Sequence, residues 1–304
     1  MNCYAQVMLV YFLMLVFASA AIFSRKKSPQ KGGNKSGGSR GKIAVYVVIN
    51  LLVIGAAWAP HNIFTLFIGG VAAMASYEIA AASQKARKYA FISPLWYALT
   101  SFAVVSAIGF LTTLMLMKVI IFLIIIHLCV LTFYKLDDNL MPKISLATMG
   151  IIYIPAFLGC LVALHIDDPT GFYVVFVYII VVATDAFSEV AGERFGRHKL
   201  APGLSPNKTV EGAMGGLASG VVFGTAAFCC LPGYKLWQVM LFALTVSAAS
   251  QLGDLIVSAW KRSLGIKDFS RLLGAHGGVI DRFDSVVFAS GVFYLLITGS
   301  QLLK

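Results

Sequence analysis

Long runs of apolar residues recur along the whole chain and are separated by short polar segments. Each run has about 20 residues, the length that an α-helix needs to cross the hydrocarbon core of a bilayer. The runs lack strict apolar–polar alternation, so they do not predict a transmembrane β-barrel. We therefore predict an all-α polytopic integral membrane protein with about 9-10 transmembrane helices and a cytoplasm-facing polar cavity. The predicted spans are 3–23, 43–59, 62–83, 93–114, 117–134, 144–164, 171–191, 212–231, 236–258 and 285–303.

The polar segments between these runs differ in their content of lysine and arginine. If segment 24–42 is cytoplasmic, alternation along the predicted spans places 84–92, 135–143, 192–211 and 259–284 on the same side. All of these segments contain Lys or Arg, whereas opposite ones such as WAPHN and HIDDPT contain neither. A topology with both chain termini outside therefore satisfies the positive-inside rule.

The first 42 residues differ from the rest of the chain. Residues 3–23 have no preceding Lys or Arg and no clear small-residue cleavage site, so we predict a membrane anchor rather than a cleaved signal peptide. Residues 24–42 carry seven basic residues and no acidic ones among Gly and Ser, which is typical of a flexible linker that contacts anionic headgroups. We therefore divide the chain into an N-terminal addition, 1–42, and a transmembrane domain, 43–304.

Composition agrees with a membrane protein. The chain is 59% hydrophobic and only 12% charged, whereas soluble domains have about 25% charged residues. Positive-inside topology and anionic lipids account for the net charge of +11, so we expect membrane lipids and no nucleic acid as partners. The five cysteines lie in apolar runs without a CxxC arrangement, which predicts small buried side chains rather than a disulfide framework or a zinc site.

An acidic residue, Asp254, interrupts the apolar run before segment 259–284. A carboxylate inside a transmembrane helix is costly and usually faces the bundle interior or a cavity. On a helix, Ser258, Lys261 and Arg262 follow it at a spacing that puts them on the same face. This spacing indicates either a structural Asp–Lys pair or a metal ligand with phosphate-binding cations one or two turns away.

A second concentration of polar residues, HGGVIDRFDS, precedes the last apolar run. Asp281 and Asp284 are three residues apart, so both carboxylates lie on one face of a first helical turn. Gly277 and Gly278 permit a phosphate to approach main-chain N–H groups. His276 is interpreted as a structural residue or a phosphate contact.

The acidic residues of these two segments are candidate ligands for Mg²⁺. This ion typically takes one or two carboxylates and completes its shell with water and substrate phosphates. Asp254 and Asp281 would supply such a site where two helix ends meet, and neighbouring Lys and Arg would neutralise the remaining phosphate charge. Helix capping is the alternative role for Asp284.

A third concentration of polar residues lies in segment 184–212. Asp185 and Glu189 share one helix face, where two buried like charges repel unless a cation or proton joins them. The polar stretch that follows is either a solvated basic loop or a wall of the site. Glu78, alone in an apolar run, is predicted to mark a helix end or a buried hydrogen bond and has no assigned role.

The stretch SAWKRSLGIKDFSRLLGAHGGVIDRFDS, residues 258–285, resembles the motif of the phosphatidate cytidylyltransferases, also called CDP-diacylglycerol synthases. The upstream segments GRHKL and SPNKTVEG are similar to a second region of that family. The span pattern matches over 43–303, but the likeness is specific only within the motif-bearing part, 184–285. Trp260, Glu189 and Asn207 depart from the family pattern and leave the acidic residues intact.

The resemblance implies transfer of CMP from CTP to phosphatidic acid, which gives CDP-diacylglycerol and pyrophosphate for phospholipid biosynthesis. We expect Mg²⁺ as cofactor, with a second cation such as K⁺ as an addition. The expected catalytic residues are Asp254, Lys261, Asp281 and Arg282. The expected metal ligands are Asp254, Asp281 and Asp284. The expected substrate-binding residues are Asp185, Lys199, Ser205, Lys208, Ser258, Lys267, His276, Gly277 and Gly278.

Other activities stay open at the level of sequence. Related alternatives are an archaeol-type cytidylyltransferase and a CTP-using polyprenol kinase. An alternative from another class is a secondary transporter with Asp185, Glu189 and Asp254 as ion sites, although the chain shows no internal repeat. The compact layout indicates a bacterial plasma membrane, with the active site facing the cytoplasm, and a homodimer is a candidate assembly.

Overall fold

The computed structural model describes residues 3–23, 39–85, 93–111, 152–270, 272 and 277–302. Within these residues it contains nine α-helices and one small antiparallel sheet, which confirms the predicted all-α class. The helices are α1 (Cys3–Phe23), α2 (Ser39–Ala57), α3 (His61–Lys85), α4 (Pro94–Phe110), α5 (Ile154–Asp167), α6 (Phe172–Phe195), α7 (Val210–Ala226), α8 (Leu236–Ser263) and α9 (Ile280–Leu302). The strands are β1 (Lys199–Ala201) and β2 (Ser205–Thr209).

The helices follow the predicted spans closely. Each predicted span except 117–134 overlaps one helix; residues 117–134 and 144–151 lie outside the described residues. By length and composition, α3, α6, α8 and most of α9 are long and apolar enough to cross a membrane, and α1, α2, α4 and α5 contain shorter apolar stretches. Helix α9 begins at Ile280, five residues before the predicted span 285–303, and Glu78 accepts the N–H groups of Val279 and Ile280 there.

The centre of the bundle is α6. Residues 174–184 are all buried, as expected for a helix that is apolar on every side. On α7, the glycines at every fourth position from Gly212 to Gly224 allow close approach to α6 and α8: a Cβ atom at Gly220 would lie 2.6 Å from Ser247 Oγ. These glycines therefore serve the close packing of α7 against its neighbours.

The N-terminal helix α1 packs one face against the bundle. Gln6 Nε2 donates to the carbonyl oxygen of Ala226 at 3.1 Å, and the Tyr4 and Phe172 ring centroids are 4.7 Å apart. Val7 and Met14 are fully buried in the hydrophobic core. The described part of α1 is thus a component of the helix bundle.

Two polar segments that the charge pattern places on one side of the membrane meet at one end of the bundle. Ser270, from the loop after α8, donates its hydroxyl to Glu78 near the end of α3 at 2.6 Å. Arg262 Nε donates to the carbonyl oxygen of Leu204, in the β1–β2 turn, at 3.1 Å. Segments 192–211 and 259–284 therefore lie at the same end, as the charge pattern predicts.

Candidate active site

Asp254 on α8 is paired with a lysine of the β1–β2 hairpin. Its Oδ2 atom lies 2.5 Å from Lys208 Nζ, and its Oδ1 atom accepts the Ser258 hydroxyl at 3.2 Å. Both charged side chains are a little over one quarter exposed, at 27% and 28%. The partner of Asp254 is thus Lys208, not Lys261 of its own helix, so the structural Asp–Lys pair considered within α8 is not the pair that forms.

Asp281, in the first turn of α9, joins three parts of the chain. Its Oδ1 atom accepts from Lys261 Nζ at 3.0 Å, and its Oδ2 atom accepts from the N–H groups of Gly278 at 2.9 Å and Phe269 at 3.1 Å. Its side chain is only 2% exposed. Lys261 Nζ also lies 4.0 Å from Asp284 Oδ2, so one lysine contacts both acids of this turn, as their spacing predicts.

Glu78 of α3 holds the beginning of α9. Its Oε1 atom accepts from the Ser270 hydroxyl and, at 3.0 Å, from the Val279 N–H, while its Oε2 atom accepts from the Ile280 N–H at 3.1 Å. These N–H groups have no acceptor within the helix, and a negative charge is favourable at this end. The predicted buried hydrogen bond is confirmed, but its role in positioning Asp281 and Asp284 was missed.

The glycine pair before α9 gives two carboxylates room beside the backbone. Gly277 has a left-handed backbone with φ +78°, and a Cβ atom there would lie 2.8 Å from Asp281 Oδ2. A Cβ atom at Gly278 would collide with the Glu78 carboxylate. The two glycines therefore accommodate carboxylates, and the Gly278 N–H donates to Asp281. Their phosphate-binding role stays a prediction.

Three acids from three helices form a cluster beside these contacts: Asp185 of α6, Asp254 of α8 and Asp284 of α9. Asp185 accepts the Ser285 hydroxyl at 3.4 Å, and a Cβ atom at Gly253 would lie 2.8 Å from the Asp284 carbonyl oxygen. The three carboxylates repel one another electrostatically, and the positive charges of Lys208, Lys261 and Arg282 oppose this repulsion.

The acid cluster offers carboxylate oxygens, the type of donor that a hard divalent cation such as Mg²⁺ takes. Within the described part of the chain, no three His, Cys, Asp or Glu side chains converge closely enough to hold a metal ion by themselves. Mg²⁺ does not need such a group, because water and substrate phosphates complete its shell around one or two carboxylates. Carboxylate oxygens are suitable donors, and repelling acids gain stability from a shared cation.

The β1–β2 hairpin brings Lys208 to the acid cluster. Glu211, in the first turn of α7, accepts from the Arg197 N–H at 3.0 Å and from His198 Nδ1 at 2.6 Å. Thr209 caps α7 by accepting the Gly212 N–H at 3.1 Å. The predicted basic loop is therefore a hairpin fixed to α7 and, through Arg262, to α8.

The remaining predicted site residues lie around this end of the bundle. Lys199 is exposed on β1, Ser205 is half-buried at the start of β2, Lys267 is exposed in the loop after α8, and Arg282 is exposed in the first turn of α9. His276 lies outside the described residues. The structure thus brings most of the predicted residues to one end of the bundle, where Lys199, Lys267 and Arg282 are exposed.

The fold and the site define an all-α membrane protein with an acid-and-lysine site at one end of its helix bundle. Residues 40–299 match the Cytidylyltransferase family, and the chain therefore belongs to this family. The membership predicted from the sequence motifs is confirmed.

Individual relatives agree with this family membership. The chain is 38% identical over 126 residues to the phosphatidate cytidylyltransferase of Staphylococcus saprophyticus, a match that covers 41% of this chain and 48% of the relative. It is 46% identical over 132 residues to the phosphatidate cytidylyltransferase of Brucella abortus, covering 42% of this chain and 48% of that relative. The chain thus spans about half the length of the relatives that it matches.

Proposed function

We propose that the protein transfers CMP from CTP to phosphatidic acid, giving CDP-diacylglycerol and pyrophosphate. The observation that carries this proposal is the cluster of Asp185, Asp254 and Asp284, with Lys208 and Lys261 against it, in a chain of the cytidylyltransferase family. The relatives' names supply the lipid substrate. A site rich in acidic and basic side chains is suited to bind two phosphorylated molecules next to each other.

The proposed reaction is an in-line displacement at phosphorus. An oxygen of the lipid phosphate forms a bond to the α-phosphorus of CTP, and the bond from that phosphorus to the bridging oxygen breaks. The electron pair of the broken bond leaves with pyrophosphate. Because the lipid phosphate is already anionic at neutral pH, the reaction needs no general base. The main obstacle is repulsion between two anions, which positive groups remove.

Asp254 and Asp284 are the acids that we propose as principal Mg²⁺ ligands, with Asp281 as their support. Exposure and hydrogen bonding support this order, because the Asp281 side chain is 2% exposed and accepts three hydrogen bonds, whereas the Asp254 side chain, which is paired with Lys208, is 28% exposed. When bound, Mg²⁺ would neutralise phosphate charge and orient phosphate oxygens. Lys261 would keep Asp281 and Asp284 in place. Binding of a second cation such as K⁺ stays a prediction.

The basic residues are proposed to bind the phosphate groups. Lys208 and Lys261 contact acids of this site, and the exposed Lys199, Lys267 and Arg282 belong to segments at the same end of the bundle. Pairing with phosphate oxygens through charge-assisted hydrogen bonds would hold CTP and the departing pyrophosphate.

The acid-and-lysine end of the bundle is proposed to face the cytoplasm, where CTP is made. The basic segments at this end support that orientation under the positive-inside rule. Phosphatidic acid would then enter sideways from the inner leaflet of a bacterial plasma membrane. The homodimer stays a prediction.

Product analysis tests the proposed function. Purified protein in detergent is incubated with Mg²⁺, phosphatidic acid and CTP labelled in either the α- or the γ-phosphate. We expect the α-label in the lipid and the γ-label in pyrophosphate. Release of CDP with the γ-label in the lipid would identify a kinase and contradict the proposal, as would ion-driven uptake into vesicles without nucleotide turnover.

Lys208→Ala is expected to lower kcat/KM for CTP by about 10- to 100-fold, the factor that corresponds to the free energy of one charge-assisted hydrogen bond. Steady-state kinetics at varied CTP concentration measure this effect. Lys235→Ala is the matched control, because Lys235 is exposed at the opposite end of α8 and should leave kcat/KM unchanged. Equal losses in both variants would contradict a local role for Lys208.

Deletion of residues 1–42 is expected to leave most of the activity in detergent. The family match begins at residue 40, and none of the described contacts of α1 involves the acid cluster. Cytidylyl transfer by the truncated and full chains, compared at equal amounts of folded protein, measures this. Complete loss of activity in a well-folded truncated chain would show that the segment contributes to the site.

A further inference from the structure

At the end of the bundle opposite to the acid cluster, two histidine rings face each other. The Nδ1 atoms of His61, the first residue of α3, and His165, near the end of α5, are 3.4 Å apart. The ring centroids are 5.5 Å apart, so the rings approach through these nitrogen atoms. Glu78, at the acid-and-lysine end, lies about 26 Å further along α3 at about 1.5 Å per residue.

The other nitrogen of each ring faces a backbone carbonyl group. His61 Nε2 lies 3.0 Å from the carbonyl oxygen of Gly109, and His165 Nε2 lies 3.1 Å from that of Ala57. A carbonyl oxygen only accepts hydrogen bonds, so each Nε2 carries a proton and donates it. A neutral imidazole has one N–H group and one unprotonated nitrogen. If both rings were neutral, both facing Nδ1 atoms would therefore be unprotonated.

Two unprotonated nitrogens in this position would be unfavourable. His165 is only 1% exposed, and the Phe64 ring stacks on it with centroids 4.5 Å apart. Each nitrogen would be an acceptor facing another acceptor, and buried polar groups without partners cost free energy. One added proton removes both problems, since one Nδ1 then donates to the other.

We propose that His61 and His165 form a binding site for a single proton, shared between their Nδ1 atoms as an imidazole–imidazolium pair. The pair carries one positive charge and connects four parts of the chain: the end of α2 through Ala57, the start of α3, the end of α4 through Gly109, and the end of α5. The pair stabilises the end of the bundle that is opposite to the acid cluster.

The charged groups around the pair are acidic in the described part of the chain. Asp168, in the turn after α5, acts electrostatically on His165, and Asp167 ends α5. The Asp168 carboxylate also accepts from the N–H groups of Thr170 at 3.1 Å and Tyr173 at 2.9 Å. Helix α4 contributes no charged side chain, and the charged residues of α3 lie towards its other end. Burial opposes a positive charge on His165, and the hydrogen bond to Ala57 and the charge of Asp168 offset part of this cost.

The shared proton makes stability depend on pH in a defined direction. Histidines of the unfolded chain are mostly neutral above about pH 6.5. The native pair then binds one proton more than the unfolded chain, so stability falls as pH rises. While the pair holds its proton, the folding equilibrium constant should decrease by up to about tenfold per pH unit.

The test combines nitrogen NMR with unfolding of the full chain. In ¹⁵N-histidine-labelled wild-type protein in lipid at pH 7, we expect one ring–ring Nδ1–Nδ1 correlation, with one Nδ1 protonated and the other accepting. Two facing rings protonated only at Nε2 would overturn the proposal. So would a metal ion that co-purifies with the pair and whose removal by a chelator changes these signals.

Unfolding measurements give an independent readout. Between pH 6.5 and about 8.5, the folding equilibrium constant should decrease more steeply with pH in the wild type than in His165→Asn. The difference should be up to about tenfold per pH unit. Thr65→Val is the matched control, because it removes a hydroxyl 3.3 Å from His61 Nε2 and leaves both rings. It should keep the wild-type slope. Identical slopes in wild type and His165→Asn would overturn the proposal. If the variant fails to fold, the NMR measurement still tests the proposal, because it needs only the wild-type chain.

Discussion

Asp254→Asn is expected to reduce CDP-diacylglycerol formation by about a thousandfold or more while the protein still inserts and folds. The substitution keeps the shape of the side chain and its contact with Ser258, but it removes a charge from the centre of the acid cluster. Loss of a group that organises transition-state charge typically costs about 100- to 1,000-fold, and loss of a metal ligand adds to this. Lipid-product formation at saturating CTP and Mg²⁺ measures the effect.

The matched control for this variant is Asp167→Asn, the same chemical change at the opposite end of the bundle. It should leave cytidylyl transfer within about twofold of wild type, since surface changes away from a site have small effects. A comparable fall in both variants, or near-normal transfer by Asp254→Asn, would contradict the proposed role of Asp254. Asp281→Asn should also lose nearly all activity, because Lys261 and the loop before α9 both depend on that carboxylate.

Glu78→Ala is expected to destabilise the protein and to abolish most of its activity, although the Glu78 side chain is not proposed to contact a substrate. The Val279 and Ile280 N–H groups and the Ser270 hydroxyl would lose their acceptor. Leaving buried donors unpaired costs about 1–3 kcal/mol each, so we expect a loss of about 3 kcal/mol or more in unfolding free energy. Denaturant unfolding followed by circular dichroism, together with kcat and KM, measures both effects.

Glu78→Gln separates positioning from simple loss of stability. The amide keeps one accepting oxygen and the side-chain length, so both stability and kcat should fall less than in Glu78→Ala. If Glu78 positions α9, kcat should fall while KM for CTP changes little, because the acids that α9 carries shift together. A Glu78→Ala variant with wild-type kcat would show that the start of α9 does not depend on Glu78.

Much of this organisation could be predicted from the sequence because membrane burial imposes strong rules. Apolar runs of sufficient length predict helices, and lysine and arginine content sorts the loops by side. Acids such as Asp254 are conspicuous in an apolar run because their burial is costly. The same rule singled out Glu78, but the sequence does not show that its partners lie 192–202 residues away in the chain.

The features that were missed depend on contacts distant in sequence or on short elements. Spacing along α8 suggested Lys261 as a partner of Asp254, whereas the hairpin supplies Lys208 and leaves Lys261 for Asp281. The hairpin strands are only three and five residues long and carry no clear alternation. The glycines before α9 were expected to admit a phosphate, but space beside a backbone accommodates a protein carboxylate equally well.

We propose that Asp254 and its neighbouring acids bind a divalent cation where CTP and the lipid phosphate meet. Electron paramagnetic resonance with Mn²⁺ in place of Mg²⁺ tests it most directly on purified full-length protein with a non-hydrolysable CTP analogue. In the wild type we expect saturable Mn²⁺ binding that the analogue strengthens. Asp254→Asn should lose this binding, and Asp167→Asn should retain it. Equal binding by wild type and Asp254→Asn would contradict it.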